Sequence, residues 1–300
     1  MPSNQYVIVT PARNEAAHIE KTLTSVVNQT VLPQRWVVVS DASTDQTDDI
    51  VRDFASRNNW IRFVRIEKDP SRSFASKVYA IRAGEQGLTE LSYAYFGILD
   101  ADIEFAPNYF ESLLSRMNAN PHLGLCGGLI YDYVNGEFIP QQMIRRSVAG
   151  AVQCFRREAY ERIGGYIPLP MGGIDAIAEM MVQMHGWEVE TFYDLRVNHF
   201  RPVGTAFGNL YVARYRDGIQ EYAFGNHPLF EIAKCVARVG NRPYVLGSMM
   251  RLAGYLSAAW KAEPRLVPPD VVNFMRESQL YRLKLRRSPP RASQRENLRA

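Results

Sequence analysis

The sequence predicts an α/β protein in which a Rossmann-like, mostly parallel sheet is flanked by helices and followed by a helical C-terminal extension. Residues 6–10 (YVIVT) and 36–40 (WVVVS) are continuous β-branched runs, the pattern of strands covered on both faces. Apolar residues at helical spacing fill the stretch between them, and strand and helix alternate from there to residue 100, as parallel strands joined by crossovers require.

The elements follow in order. Ile19, Leu23, Val26 and Val27 mark a first helix over residues 15–29, with Asn14 available as its cap. A second helix is expected after the cap-rich residues 43–47, with Ile50, Val51, Phe54 and Ala55 on one face. Residues 61–66 (IRFVRI) alternate as a third strand, a helix is expected around 73–83, and residues 93–99 (YAYFGIL) form a fourth strand ending at Asp100. Beyond Pro107 the pattern loosens. It reads as a helix over 109–117, glycine-rich strand material at 124–134, a helix around 156–163 and a Gly/Pro-rich loop over 164–173. A helix over 175–185, an extended run over 189–198 and a loop over 199–208 follow, and the chain is helical from about 209. Two domains are therefore expected, 1–208 and 209–300.

Composition narrows the function classes. A 300-residue chain with 46% hydrophobic and 11% aromatic residues is neither disordered nor fibrous, and can bury a real site. Cys126, Cys154 and Cys235 are scattered, which argues against a disulfide framework or structural zinc site and points to a reducing, cytoplasmic setting. The formal charge is +4, yet residues 276–300 alone hold eight Lys/Arg against two Glu, so the rest is slightly acidic. A nucleic-acid partner is not expected of such a body. The N-terminal residues carry no charged-then-apolar leader pattern, and the apolar stretch 244–260 is short and interrupted by Arg251, so it is read as non-spanning. Its stripe of Val245, Met249, Leu252, Leu256 and Trp260 reads first as core-facing. With the basic tail behind it, a second reading is an amphipathic helix held on anionic lipid.

In an open parallel sheet, ligands bind at the carboxyl ends of the strands. Polar clusters stand at three of them: residues 10–15 (TPARNE), 40–45 (SDASTD) and 100–102 (DAD). The first two could be ordinary turn and cap chemistry. Carboxylates at i and i+2 after an apolar strand repel each other unless a cation sits between them, and a hard divalent metal suits oxygen ligands.

The ordered set VIVTPARNEAAHIEKTLTSVVNQT, VVVSDASTDQTDDI, FGILDADIEFAPNYFESLL and FRREAYERIGGY resembles the family 2 glycosyltransferases of GT-A fold over roughly residues 5–200. The resemblance implies an inverting, metal-dependent enzyme. It would move a sugar from a nucleoside-diphosphate sugar, UDP-type foremost, to a sugar or lipid-linked sugar acceptor in cell-surface polysaccharide or glycolipid synthesis. A divalent metal, Mn2+ or Mg2+, is implied as cofactor, while the scattered cysteines and the 244–260 segment with its basic tail make the expected setting cytoplasmic, peripheral at the inner membrane face. By position, Thr10, Pro11, Arg13 and Glu15 match the first nucleoside contact and Asp41 the residue that reads the base, with Ser43 and Asp45 holding that loop. Lys77 stands where the family often has a cation near the phosphates; a solvated helix residue is its other reading.

Asp100 and Asp102, with Ala101 between them in the nucleotide site, match the DxD pair, in which one carboxylate serves ribose or sugar and the other the metal. In GGIDAIAEMMVQMHGW, Asp175 matches the general base; Ile174 replaces the usual Glu, Glu179 is the fallback, and simple helix capping is the competing reading. His199 would complete the metal shell, Arg201 would reach the diphosphate, and residues 202–208 would form a lid. The absence of a Gln-x-x-Arg-Trp motif suggests single additions over polymerisation. A sugar-phosphate nucleotidyltransferase, or a silent GT-A-fold binding protein, are the alternatives; the first lacks its glycine-rich loop at residues 10–15, and the intact acidic residues weigh against the second.

Overall fold

The computed structural model describes residues 4–67, 75–201, 210–240 and 243–290. The chain divides into two compact units, Met1–Val203 and Gly204–Ala300.

In the first unit, β1 (Tyr6–Ala12), α1 (Ile19–Val27), β2 (Arg35–Asp41), α2 (Thr47–Arg57), β3 (Ile61–Ile66), α3 (Ala75–Gln86) and β4 (Tyr95–Leu99) alternate. β2 and β4 flank β1 and β3 lies outside β2, all in parallel. The β-branched runs are buried on both faces, as their continuity requires. Ile8, Trp36 and Val38 point into the main core with Leu23 and Val26 of α1. On the other face Gly84 of α3 lies so near Val9 and Val39 that a Cβ there would collide with both side chains. One expectation fails here. Asn14 does not cap α1, which begins at Ile19 without a side-chain cap; Asn14 adopts a left-handed φ of 54° and its Oδ1 accepts from the Thr44 backbone N–H at 2.8 Å.

The sheet then changes character. β5 (Ile103–Phe105), α4 (Tyr109–Ala119), β6 (Leu123–Val134), β7 (Glu137–Pro140), β8 (Val152–Arg156), α5 (Arg157–Ile163), α6 (Ile174–Met184) and β9 (Glu188–His199) complete the unit. The strand order is β3-β2-β1-β4-β8-β6-β9-β5, with β7 on β6. β8 runs antiparallel to both β4 and β6, β9 parallel to β6, and β5 antiparallel to β9. The parallel half is thus the one the alternation predicts, and the other half is mixed. Asn135-Gly136, both at positive φ, turns β6 into β7, as a type I′ hairpin requires. The β6–β9 register shifts by three residues: Gly128 pairs with Phe192, but Leu129 pairs with Arg196. Gly128 is needed there, because a Cβ would strike the Leu195 carbonyl, and Asp194 in the bulge is held by Arg116 of α4.

The second unit is helical: α7 (Leu210–Phe224), α8 (Pro228–Ala237), α9 (Tyr244–Trp260) and α10 (Pro269–Arg282). α9 has the expected bounds but the opposite orientation. Val245, Met249, Leu256 and Trp260 are exposed and Leu252 half-buried, whereas Gly247, Arg251, Gly254, Tyr255 and Ala258 are buried. The core-facing expectation fails because Arg251 is claimed from inside by Asp217, Glu221 and Glu231. No described helix is long and apolar enough to cross a membrane. Residues 202–208, expected as a lid, the start of the helix expected at 73, and the tail beyond 290 lie outside the described residues.

Candidate active site

The ends of β1 and β2 form one wall. Arg13 Nη1 pairs with Asp41 Oδ2 at 3.0 Å. Side chains from one loop tie the other down: the Asn14 N–H donates to Ser43 Oγ at 3.1 Å, Glu15 N–H to Thr47 Oγ1 at 2.8 Å, and Ala16 N–H to Asp45 Oδ2 at 3.0 Å. Burial works to raise the Asp45 carboxyl, but hydrogen bonds from the Thr47 hydroxyl and the backbone N–H groups of Ala16 and Thr47 outweigh it and hold it below the usual range. Ser43 and Asp45 therefore hold the loop, as expected. Thr10 departs from its expected role, since its side chain is wholly buried and its Oγ1 accepts from the Trp36 indole N–H at 2.9 Å. Alternation along β1 turns residue 10 inward and leaves Pro11 half-buried at the rim. Ala101 is likewise buried, at 3% exposure.

A carboxylate cluster stands beside that wall. Asp100 and Asp102 leave β4 for β5, and register supplies the rest. His199, the last residue of β9, lies opposite Ile103 on one side and Asp132 on the other. Its Nδ1 is 2.7 Å from Asp132 Oδ1, which leaves Nε2 facing Asp102 Oδ1 at 3.6 Å. One donor atom each from Asp100, Asp102 and His199 fall within 4.8 Å of one another. Arg201 pairs with Glu15 at 2.6 Å and comes within 4.0 Å of Asp102. Burial first, then the Asp100 charge, raises the Asp102 carboxyl, against the pull of His199, Arg201 and Lys77. Burial, with the charges of Asp102 and Asp100, pushes Glu15 up to about 7 even though Arg201 opposes it. Among the described residues, Arg201 and Lys77 are the cations paired with the acids gathered here. Two carboxylates and an imidazole whose outer nitrogen is held by a third carboxylate make a donor set that fits a hard divalent cation. Asp132 is the residue that sequence reasoning missed.

Lys77 joins this cluster to the opposite wall. It forms an ion pair with Asp100 and donates to the Gly150 carbonyl at 3.4 Å. Burial lowers the affinity of its ammonium for the proton, but Asp100, then Asp175 and Asp102, more than restore it, so the group titrates above its usual value. Asp175 stands in the first turn of α6 after Gly172 and Gly173, whose φ values of 89° and 76° are left-handed. It does not cap α6, because Gly173 occupies the cap position without a side-chain bond. Its carboxylate lies against Gly150, where a Cβ would run into it. Glu179 accepts instead from Ser147 Oγ at 3.0 Å and the Val148 N–H at 2.9 Å. Asp100, Asp102, His199, Lys77, Glu15, Arg201 and Asp175 are thus brought together, with Arg13 and Asp41 on the adjoining strand ends.

A family model described as Glycosyl transferase family 2 matches residues 7–172. The poly-beta-1,6-N-acetyl-D-glucosamine synthase of Staphylococcus epidermidis is 23% identical over 239 residues, 71% of this chain and 52% of that one. The chain spans about half or less of the length of the first curated relatives it matches. In fold, it is similar to S. aureus TarS 1-349 in complex with UDP-GlcNAc, with a TM-score of 0.54 at 15% identity over 87% of this chain and 74% of that one. It is also similar to the mannosyltransferase PcManGT from Pyrobaculum calidifontis in complex with GDP-Man and Mn2+, with a TM-score of 0.53 at 18% identity over 96% and 83%. These structures are GT-A transferases, and the sheet described above is of their kind.

Proposed function

Because the chain belongs to glycosyl transferase family 2, we propose that it transfers a sugar from a nucleoside-diphosphate sugar to an acceptor hydroxyl, with inversion at the anomeric carbon. The observation that carries the reading is the Asp100–Asp102–His199 cluster at the strand ends, joined by Lys77 to Asp175. The acceptor is read as a sugar, free or on a lipid carrier, in polysaccharide or glycolipid synthesis; the synthase and the glycosyltransferases among the relatives support that class. The donor nucleotide is read as UDP, in keeping with the ligand of TarS.

Each residue then has a task. Arg13 and Asp41 form the wall that receives the base, and Glu15, held by Arg201, stands between that wall and the carboxylates. Asp102 and His199, with Asp100 beside them, would hold a divalent cation, Mn2+ foremost since imidazole and carboxylate ligands suit it. Such an ion neutralises the charge that develops on a departing diphosphate. Asp175 takes the proton from the acceptor hydroxyl as its oxygen attacks the anomeric carbon and the bond to the diphosphate oxygen breaks. Asp175 suits this better than Glu179, whose carboxylate is committed to Ser147 and Val148. Lys77, cationic and next to Asp100, fixes the position of that carboxylate and faces the phosphates.

The test is calorimetric titration of UDP, GDP and dTDP into the full chain with Mn2+ and with EDTA, beside Asp102→Ala. The expected result is metal-dependent binding of one nucleotide that the substitution abolishes. No binding of any nucleotide, or binding indifferent to EDTA and to Asp102→Ala, would overturn the reading.

A further inference from the structure

Helix α9 is assembled inside out. Successive residues turn by about 100°, which gathers Val245, Met249, Leu256 and Trp260 on one stripe, exposed by 52%, 59%, 56% and 87%. The opposite stripe, which is buried, carries two glycines, an alanine, an arginine and Tyr255. Ordinary soluble helices reverse this distribution. The buried stripe is nevertheless well made. Gly218 of α7 lies against the Arg251 carbonyl and Gly254 against the Tyr215 carbonyl, each too close for any Cβ, so the two helices touch backbone to backbone. Small residues are what let two helix backbones approach this closely. The Arg251 guanidinium is hydrogen-bonded to Asp217, Glu221 and Glu231, which leaves it no part on the surface. Two of the three acids, Glu221 and Glu231, thus lie largely inside.

The surface charge left over is positive. Between residues 210 and 290 the sequence holds thirteen Lys/Arg against six Asp/Glu, and the buried Arg251 with its three acids accounts for one of the thirteen and three of the six. Arg238, Lys261, Arg265, Arg282, Lys284 and Arg287 are exposed, against Glu263 and Asp270. At about 1.5 Å per residue the 17 residues of α9 are too short to cross a bilayer core, but suffice to lie along its surface. An anionic bilayer accepts both the apolar stripe and the cations of the unit, whereas a second copy of this chain carries the same excess of positive charge.

We propose that the second unit seats the protein on anionic lipid bilayers, with the Val245–Met249–Leu256–Trp260 stripe of α9 lying in the interface. The proposal requires nothing of the donor chemistry and goes beyond it. The stripe is an interfacial helix of the kind whose affinity combines buried apolar area with attraction to acidic headgroups, and Trp260 at its end occupies the headgroup level that indole rings favour.

The experiment is sedimentation of the full chain with vesicles of phosphatidylcholine alone and with phosphatidylglycerol added, beside Met249→Glu/Leu256→Glu/Trp260→Glu and the milder Trp260→Ala. Trp260→Ala keeps the test decisive if the triple variant fails to fold, because Trp260 is 87% exposed and no core depends on it. Binding to the acidic vesicles is expected, weakened by salt. The triple variant should weaken it about tenfold or more and Trp260→Ala several-fold, with the blue shift of fluorescence on binding reduced. Failure to bind acidic vesicles, binding that neither variant weakens, or concentration-dependent self-association abolished by the same substitutions would overturn the proposal; the last would assign the face to a second copy.

Discussion

Asp132 reaches the carboxylate cluster only through the His199 ring, 67 residues further along the chain. A carboxylate behind a ligating imidazole fixes its tautomer and raises its basicity. Asp132→Ala should therefore lower Mn2+ affinity by about 10- to 100-fold while leaving folding intact, as isothermal titration and circular dichroism would show; an unchanged affinity would make Asp132 idle. Asp175 allows a sharper separation. Asp175→Asn should preserve nucleotide binding and reduce transfer by about 10²- to 10⁴-fold, measured as release of nucleotide in the presence of acceptor. Asp100 and Asp102 could be placed from the sequence because they follow directly on a strand end, and Asp175 through the family resemblance of its segment. Asp132 could not be, because in an alternating run such as LIYDYV a lone acid reads as a solvated face. Thr10 misled for the converse reason: motif position says nothing of which way the strand turns its side chain.

At the scale of elements, α8 begins on His227, whose Nδ1 accepts from the Leu229 backbone N–H at 3.2 Å. Only an unprotonated ring nitrogen can accept. Burial, with the nearby Arg276 charge, lowers the His227 pKa below its usual 6.5. The folded state thus favours the neutral ring, and this contribution to stability is complete above pH 6.5 and is lost as pH falls through the folded value. His227→Asn, which supplies an acceptor that does not titrate, should remove that part of the pH dependence. Urea midpoints of both proteins between pH 7 and 5 would check it: the difference between them should open toward the variant as pH falls, and parallel curves would refute it. The bounds of α9 were legible to the residue, but not its orientation. Periodicity shows that a stripe exists, and the three acids around Arg251, with the close approach at Gly218 and Gly254, decide which stripe faces in. The short strands β5, β7 and β8 were not legible, because three to five residues cannot display a period.

Taken whole, the first unit joins a parallel half whose alternation is written in the sequence to a mixed half whose pairings are not local. If nucleotide and metal bind at their junction, ligand present at a hundred times its dissociation constant should stabilise the protein by about 2.7 kcal/mol. Scanning calorimetry with nucleotide and Mn2+ should show the rise in midpoint, and EDTA should cancel it. The three extra residues of β9 act over the same distance. Had the ladder run on from Gly128 with no bulge, Leu129 would pair with Tyr193 and Arg196 in place of His199 would stand opposite Asp132, so that a carboxylate placed to orient an imidazole would be neutralised by a guanidinium. The identity of the group beside Asp102 is thus a matter of register. A bulge held open by Gly128 and Arg116 decides whether that corner is a place for a cation or already contains one.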